Sequence, residues 1–200
     1  MTRSKSQSDS VHSTGFSVLE LLIVLGIIVA IAAMATPNLM SMVQENAVFN
    51  EADRLRETLG ETRRFAVDTG IDYEFRYELN GPTGVVLPSE VELNETEEGQ
   101  STTTGQYHRA LLQMPDGMRI RADEGIEERS ETLDADRFGS LGGGELTKKQ
   151  WSTAIIFRFD GQSDDFVFRV SDKAGLTSKV TLRGLTGTTR TSQVYPEEDQ

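Results

Sequence analysis

Few residues in this chain have a type and spacing suited to chemistry. Asp160, Asp164 and Asp165 flank the turn Asp160-Gly161-Gln162-Ser163, and carboxylates grouped at a turn are a calcium-type donor set. Their spacing misses the EF-hand pattern, so a solvated turn is the simpler reading. There are two histidines, His12 and His108, with no second histidine at metal-ligand spacing from either. H-E-x-x-H, the G-x-S-x-G nucleophile elbow and the phosphate-cradling G-x-x-x-x-G-K-[ST] are all absent. The glycine-rich run Gly139–Gly144 lacks the following Lys-Ser/Thr and reads as a flexible loop. With no cysteine, disulfides and thiolate metal sites are excluded. No catalytic residue, cofactor site or metal site is therefore assigned, and the chain is not read as an enzyme.

One carboxylate stands apart because of its surroundings. Glu20 is the only charge in TGFSVLELLIVLGIIVAIAAMATP, residues Thr14 to Pro37. An ionised carboxylate in hydrocarbon costs roughly 2.5–3.5 kcal/mol on insertion scales. Phe16 to Ala35 is twenty residues, and a helix of that length covers ~30 Å, about one hydrocarbon core. The segment before it, MTRSKSQSDSVHSTG, is polar and serine-rich, as a targeting leader would be. Ordinary secretion is one reading. Ala33-Met34-Ala35 forms an A-x-A site, which would release a ligand-binding β-domain after Ala35 and leave Glu20 as a tolerated blemish near the membrane surface.

The elements that would position this segment are legible. Past Pro37, Val48, Ala52, Leu55, Leu59, Thr62 and Ala66 step by four and three, a helical seam. Glu51, Arg54, Glu57, Glu61 and Arg64 lie mostly off it and are expected in solvent. Gly70 is a stop signal. One helix is thus expected from about Phe16 to about Asp68, with a kink or local melting near Met34–Pro37, because proline cannot donate its N–H. Its first half is apolar all round and its second half amphipathic, so it needs two environments. The rest reads as β. Tyr73 to Leu79 alternates, with Tyr73, Phe75, Tyr77 and Leu79 on one face, and Asn80-Gly81 is a hairpin signal before Val85-Val86-Leu87. Pro115-Asp116-Gly117 is a turn. Thr153–Phe159 is expected to pair with Phe166–Val170 across the Asp160–Ser163 turn, and Val180–Leu182 is a last strand. Glu90–Gln106 and Asp123–Gln150 read as loose surface insertions, with Trp151 anchoring the return of the second.

Composition bounds the partners. The 200 residues carry a net charge of −12, pI about 4.6, and end in the acidic Tyr195-Pro196-Glu197-Glu198-Asp199-Gln200. That balance argues against nucleic-acid backbone and anionic lipid surfaces.

Gly15-Phe16-Ser17-Val18-Leu19-Glu20-Leu21-Leu22 resembles the G-F-T-L-I-E-L-L pattern of type IV pilin and type II secretion pseudopilin precursors. Ser17 stands where threonine is usual, and Val18-Leu19 replace Leu-Ile. The resemblance implies cleavage between Gly15 and Phe16 by a prepilin peptidase, with N-methylation of Phe16. It also implies a kink at Pro37 and an assembly role for Glu20. Glu20 would neutralise the Phe16 amine of a neighbouring subunit, though pairing with its own amine or snorkelling would also keep it near the terminus. Met114–Ile120 resembles the "L-P-x-G-v-x-I" segment of H-type minor pseudopilins. Ile155–Ser163 is similar to their "I-x-F-x-x-D-G-x-S" hairpin, and Leu182–Arg190 to their closing "strand, G-x-x-G" element.

The implied protein is a minor pseudopilin, or alternatively a minor type IV pilin serving adhesion, motility or DNA uptake. Its implied partners are the peptidase, other pseudopilin or pilin subunits and an inner-membrane assembly platform. It would sit in the bacterial inner membrane as a single-pass protein with a periplasmic head, then enter a periplasmic pseudopilus for protein export. The organisation expected is a leader at 1–15, a membrane or filament-core half-helix at 16–37, an amphipathic half-helix at 38–70 and a β-rich head at 71–200. The fold class is α+β, a long helix on a small antiparallel sheet or sandwich.

Overall fold

The computed structural model describes residues 17–89 and 107–197, apart from the side chains of 34–39. The insertion at 90–106 lies outside the described residues. The architecture is α+β. Helix α1, Val18–Thr69, comes first, followed by strands β1 to β9 with two one-turn helices. The chain divides into two units, 1–42 and 43–200.

The second unit holds the C-terminal part of α1 and every strand among the described residues. Val48, Ala52, Leu55, Leu59, Thr62 and Ala66 are all buried, so the four-and-three spacing locates the packed face. Thr62 is tolerated there because its hydroxyl donates to the Thr58 carbonyl at 2.7 Å. Gly70 ends the helix with φ at 72°, its N–H donating to the Ala66 carbonyl at 3.0 Å. Glu51, expected in solvent, is buried instead, and Arg54 holds it at 2.8 Å.

The strands are β1 Tyr73–Tyr77, β2 Thr83–Pro88, β3 Ala110–Gln113, β4 Arg119–Ala122, β5 Ile155–Phe157, β6 Phe166–Ser171, β7 Leu176–Arg183, β8 Thr188–Thr191 and β9 Tyr195–Pro196. They form two antiparallel sheets, β3-β2-β1-β5 and β4-β6-β7-β8, with β9 also pairing to β7. The turn at Pro115–Gly117 and the turn at Asp160–Ser163 each carry the chain from one sheet to the other. The expected pairing of Thr153–Phe159 with Phe166–Val170 is therefore corrected: β5 pairs with β1, and β6 with β4 and β7. The alternation of apolar residues was right for each strand, but a turn signal does not say whether the chain returns beside itself. The inner faces of both sheets and the α1 seam share one core, in which Phe168 meets Phe75 and Tyr77 edge-on.

The segment 123–150, read as a loose insertion, folds. It contains α2 Ala135–Phe138, a 3-10 turn at Gly139–Leu141 and α3 Gly143–Leu146. Leu133, Phe138 and Leu146 join Val85, Leu87 and Trp151 in a second core on the opposite face of the first sheet. Trp151 anchors the return as expected, its indole N–H donating to the Leu146 carbonyl at 3.0 Å. This layer also covers β1, whose five residues are all buried, including Glu74 and Arg76. Arg76 binds Glu74 at 2.9 Å and also Glu131, while Arg137 reaches Glu74 at 2.7 Å. Charges on the polar face of an alternating strand were thus covered rather than exposed.

Candidate functional site

The first unit contributes the N-terminal part of α1. Ser17 starts it: its hydroxyl oxygen accepts from the Leu19 N–H at 3.2 Å, and its carbonyl accepts from Leu21 at 3.1 Å. These are the bonds of an N-cap residue. Glu20 falls in the first turn, three residues after the cap, so Ser17-x-x-Glu20 has the spacing of a capping box. A carboxylate there also faces the positive end of the helix dipole. The sequence carried this signal in plain view, but attention to the charge of Glu20 obscured its position relative to Ser17. The local role needs no partner molecule and is by itself a reason for a glutamate at this position.

From Val18 to Ala33 every side chain is exposed, on all sides of the helix. Val18 is 76% exposed, Val29 60% and Ile31 63%. Aliphatic side chains covering a full helical circumference bury nothing within their own unit. In the second unit, most aliphatic residues among those described sit in the two cores, with scattered exceptions such as Val67, Leu111, Ile126 and Leu185. Among the described residues no helix is long and apolar enough to cross a membrane. The apolar stretch with described side chains, Val18 to Ala33, is sixteen residues long, against the ~20 a span needs. The sequence itself continues apolar through Ala35. Gly15 and Phe16 lie outside the described residues. Pro37 lies within the helix, and its side chain is outside them.

The remaining candidates are dispersed by the fold. Asp160 accepts from the Gln162 N–H at 2.9 Å, Asp164 from the Ile156 N–H at 3.0 Å and from Arg158, and Asp165 from the Gly184 N–H at 2.9 Å. Three carboxylates close in sequence thus serve three separate backbone joints. No group of three metal-ligating side chains forms among the described residues. His108 stacks on Phe65, ring centres 3.7 Å apart, and burial holds its pKa below the usual 6.5, opposed by the charge of Glu61. Tyr77 donates to Glu128 at 2.6 Å, and burial together with that bond pushes its hydroxyl pKa up.

One functional-looking cation escaped the sequence reading. Arg63 donates to the Gly161 carbonyl at 2.9 Å and packs so tightly on Gly187 that a Cβ there would lie 2.3 Å from its Cδ. It joins the Asp160–Ser163 turn to the Gly184–Gly187 turn. The i, i+4 step from Leu59 to Arg63 was visible, but the glycines that make room for it are far away in sequence.

No protein-family model and no curated protein sequence matches the chain. Among solved structures it is similar to two of the minor pseudopilin EpsH from the type 2 secretion system of Vibrio cholerae. One is 13% identical with a TM-score of 0.44, covering 71% of this chain and 93% of that one. The other is 15% identical with a TM-score of 0.47, covering 74% and 97%.

Proposed function

We propose that the chain is a minor pseudopilin-like subunit of a type II secretion pseudopilus. The observation that carries the reading is the helix segment Val18–Ala33, apolar and exposed all round, continuous in chain with a segment that buries a single seam in a folded head. A helix of this kind is stable in water only when covered, by lipid before assembly and by other subunits after it. The prepilin-type sequence around Gly15 supplies the way from one cover to the other. Cleavage between Gly15 and Phe16, followed by methylation of Phe16, leaves an amine at the start of the apolar helix, and Glu20 neutralises the amine of the adjacent subunit. Pro37 bends the helix where the two environments meet. The inner membrane holds the processed subunit, an assembly platform extracts it, and the head stands in the periplasm.

The test is the mature N-terminus of the protein expressed with a prepilin peptidase. A chain starting at Phe16 supports the reading. A chain starting at Thr36 overturns it in favour of an exported β-domain released by ordinary signal peptidase. Gly15→Leu should abolish the Phe16 start, since the peptidase must fit the backbone at a small residue.

A further inference from the structure

The strands of the second sheet carry a charge opposite to that of the chain. Together β4, β6, β7, β8 and β9 hold Arg119, Arg121, Arg169, Lys179, Arg183 and Arg190, and no carboxylate. Ile120, Phe168, Val170, Val180 and Leu182 belong to the shared core, so the residues alternating with them face outward. Arg119, Arg121, Arg169, Lys179 and Arg183 are such residues, and Arg190 lies opposite the outward Thr181. All six cations thus share the outer face of one sheet, in a chain of net charge −12.

The middle of this face is neutralised within the chain, and its two sides are not. In the middle, Arg169 is held by Glu124 at 2.7 Å and Glu197 at 2.8 Å, and Lys179 by Asp123 at 2.9 Å. Arg119 and Arg121 of β4 lie to one side, Arg183 and Arg190 of β7 and β8 to the other. These four make no ion pair among the described residues. Like charges at neighbouring positions of a sheet cost stability, so the fold itself gives no reason for them. Donors are unmet as well. The Nε of Arg121 is buried without a hydrogen-bond partner among the described residues, as is the hydroxyl of Tyr195, which pairs with Thr177 on the same face.

The extent of the face decides what kind of anion fits it. Four strands side by side are roughly 20 Å wide, and acidic residues already stand at the rim, in Asp123, Glu124 and Glu197. A long polyanion such as nucleic acid, or an anionic bilayer, reaches past that rim and meets like charge within a screening length of ~8 Å. A short acidic stretch of polypeptide does not. In an extended stretch, alternate side chains lie on one side ~6.6 Å apart, which is also the spacing of Arg119 and Arg121 along β4. We propose that the outer face of the second sheet is a docking surface for an extended acidic segment of a different polypeptide. Its carboxylates pair with Arg119 and Arg121 at one side and with Arg183 and Arg190 at the other. The surface belongs to the second unit, so the proposal does not depend on how the N-terminal helix is processed or covered.

The probe is a fluorescein-labelled peptide of alternating glutamate and threonine, about nine residues long and ~30 Å when extended. It is titrated with the full chain in uncharged detergent and followed by anisotropy. Saturable binding is expected, weakened at least about tenfold at ~0.5 M salt. The same peptide with glutamine in place of glutamate should not bind. Arg119→Gln with Arg121→Gln, and separately Arg183→Gln with Arg190→Gln, should each weaken binding at least about tenfold. Lys148→Gln, at an exposed lysine outside this sheet, should leave it unchanged. Arg183→Glu with Arg190→Glu should bind a lysine–threonine peptide more tightly than the wild type does, a gain that loss of fold does not produce. Absence of binding by the glutamate peptide, equal binding by the arginine variants, or an equal loss in Lys148→Gln overturns the proposal. So does arginine-dependent binding of a single-stranded oligonucleotide, or of phosphatidylserine added to the micelles, that is tighter than the peptide's. The subunit reading is tested separately by the mature N-terminus and stands or falls without these results.

Discussion

Glu20 has two physical explanations, and a conservative substitution separates them. As the third residue of the helix, at the capping-box spacing from Ser17, it helps start the helix, a role in which glutamine serves nearly as well. As the counter-charge to a neighbour's amine it must be ionised, and neither glutamine nor leucine can replace it. Glu20→Gln should therefore be cleaved and membrane-resident but excluded from filaments, as Glu20→Leu should be. Cross-linking to other subunits, with fractionation, is the measurement. Normal incorporation of Glu20→Gln would assign the glutamate to the cap. His108 gives a prediction in pH. Its folded pKa lies below 6.5, so on acidification the unfolded chain takes up the proton first. Stability should be unaffected by His108 above that value and fall as pH drops below it. His108→Gln should remove that part of the fall, seen as converging or crossing melting midpoints of the two proteins between about pH 7 and 5.5. Parallel midpoint curves over that window would mean that the ring on Phe65 titrates as in a free chain.

At the scale of elements, the seam of α1 is the firmest prediction. Leu59 is fully buried in the shared core, and Leu59→Asp should cost at least about 4 kcal/mol by burying an unpaired charge. Thermal unfolding checks it, and an unchanged midpoint would place the seam against something other than the sheets. The second core supports a different test. Arg76→Met leaves Glu131 without its buried partner and Glu74 with Arg137 alone, which should loosen the layer formed by 123–150. Limited proteolysis should then cut near Gly142–Gly144 at least about tenfold faster than in the wild type. Equal rates would mean that Trp151 and Phe138 hold the layer unaided. These two elements also mark what was legible in the sequence. The seam has a period, and a period identifies a helix face without further information. The segment 123–150 has none: Leu133, Phe138, Leu146 and Trp151 are spaced irregularly and become a core only because they meet Val85 and Leu87 of β2. The cover over Glu74 and Arg76 was out of reach for the same reason, since their partners Glu131 and Arg137 lie more than fifty residues on. In the N-terminal segment the composition of Val18–Ala33 was plain, and so was the Ser17-x-x-Glu20 spacing, but the bond from the Leu19 N–H to the Ser17 hydroxyl needed the backbone to be seen.

For the whole molecule, the division at Met42/Val43 implies two kinds of solubility. Residues 43–200 contain both cores, both sheets and the seam that covers them. The large apolar side chains left exposed there include Phe49, Val67, Leu111, Ile126, Phe159 and Leu185. They are scattered over the helix, strands and turns, an ordinary distribution for a soluble surface. On the N-terminal unit the exposed apolar residues are contiguous and surround the helix. A fragment beginning at Val43 should therefore remain in solution without detergent and unfold in one cooperative transition, since α1, both sheets and the 123–150 layer are joined through β1 and β2. The full chain should require detergent or partner subunits at the same concentration. Sedimentation and calorimetry of the two forms side by side decide the point. Two separate transitions in the fragment would mean that the second core melts independently of the first. Aggregation of the fragment without detergent would show that the C-terminal half of α1 is itself covered in the assembled state, and the boundary between filament core and head would then lie further along the helix than Met42.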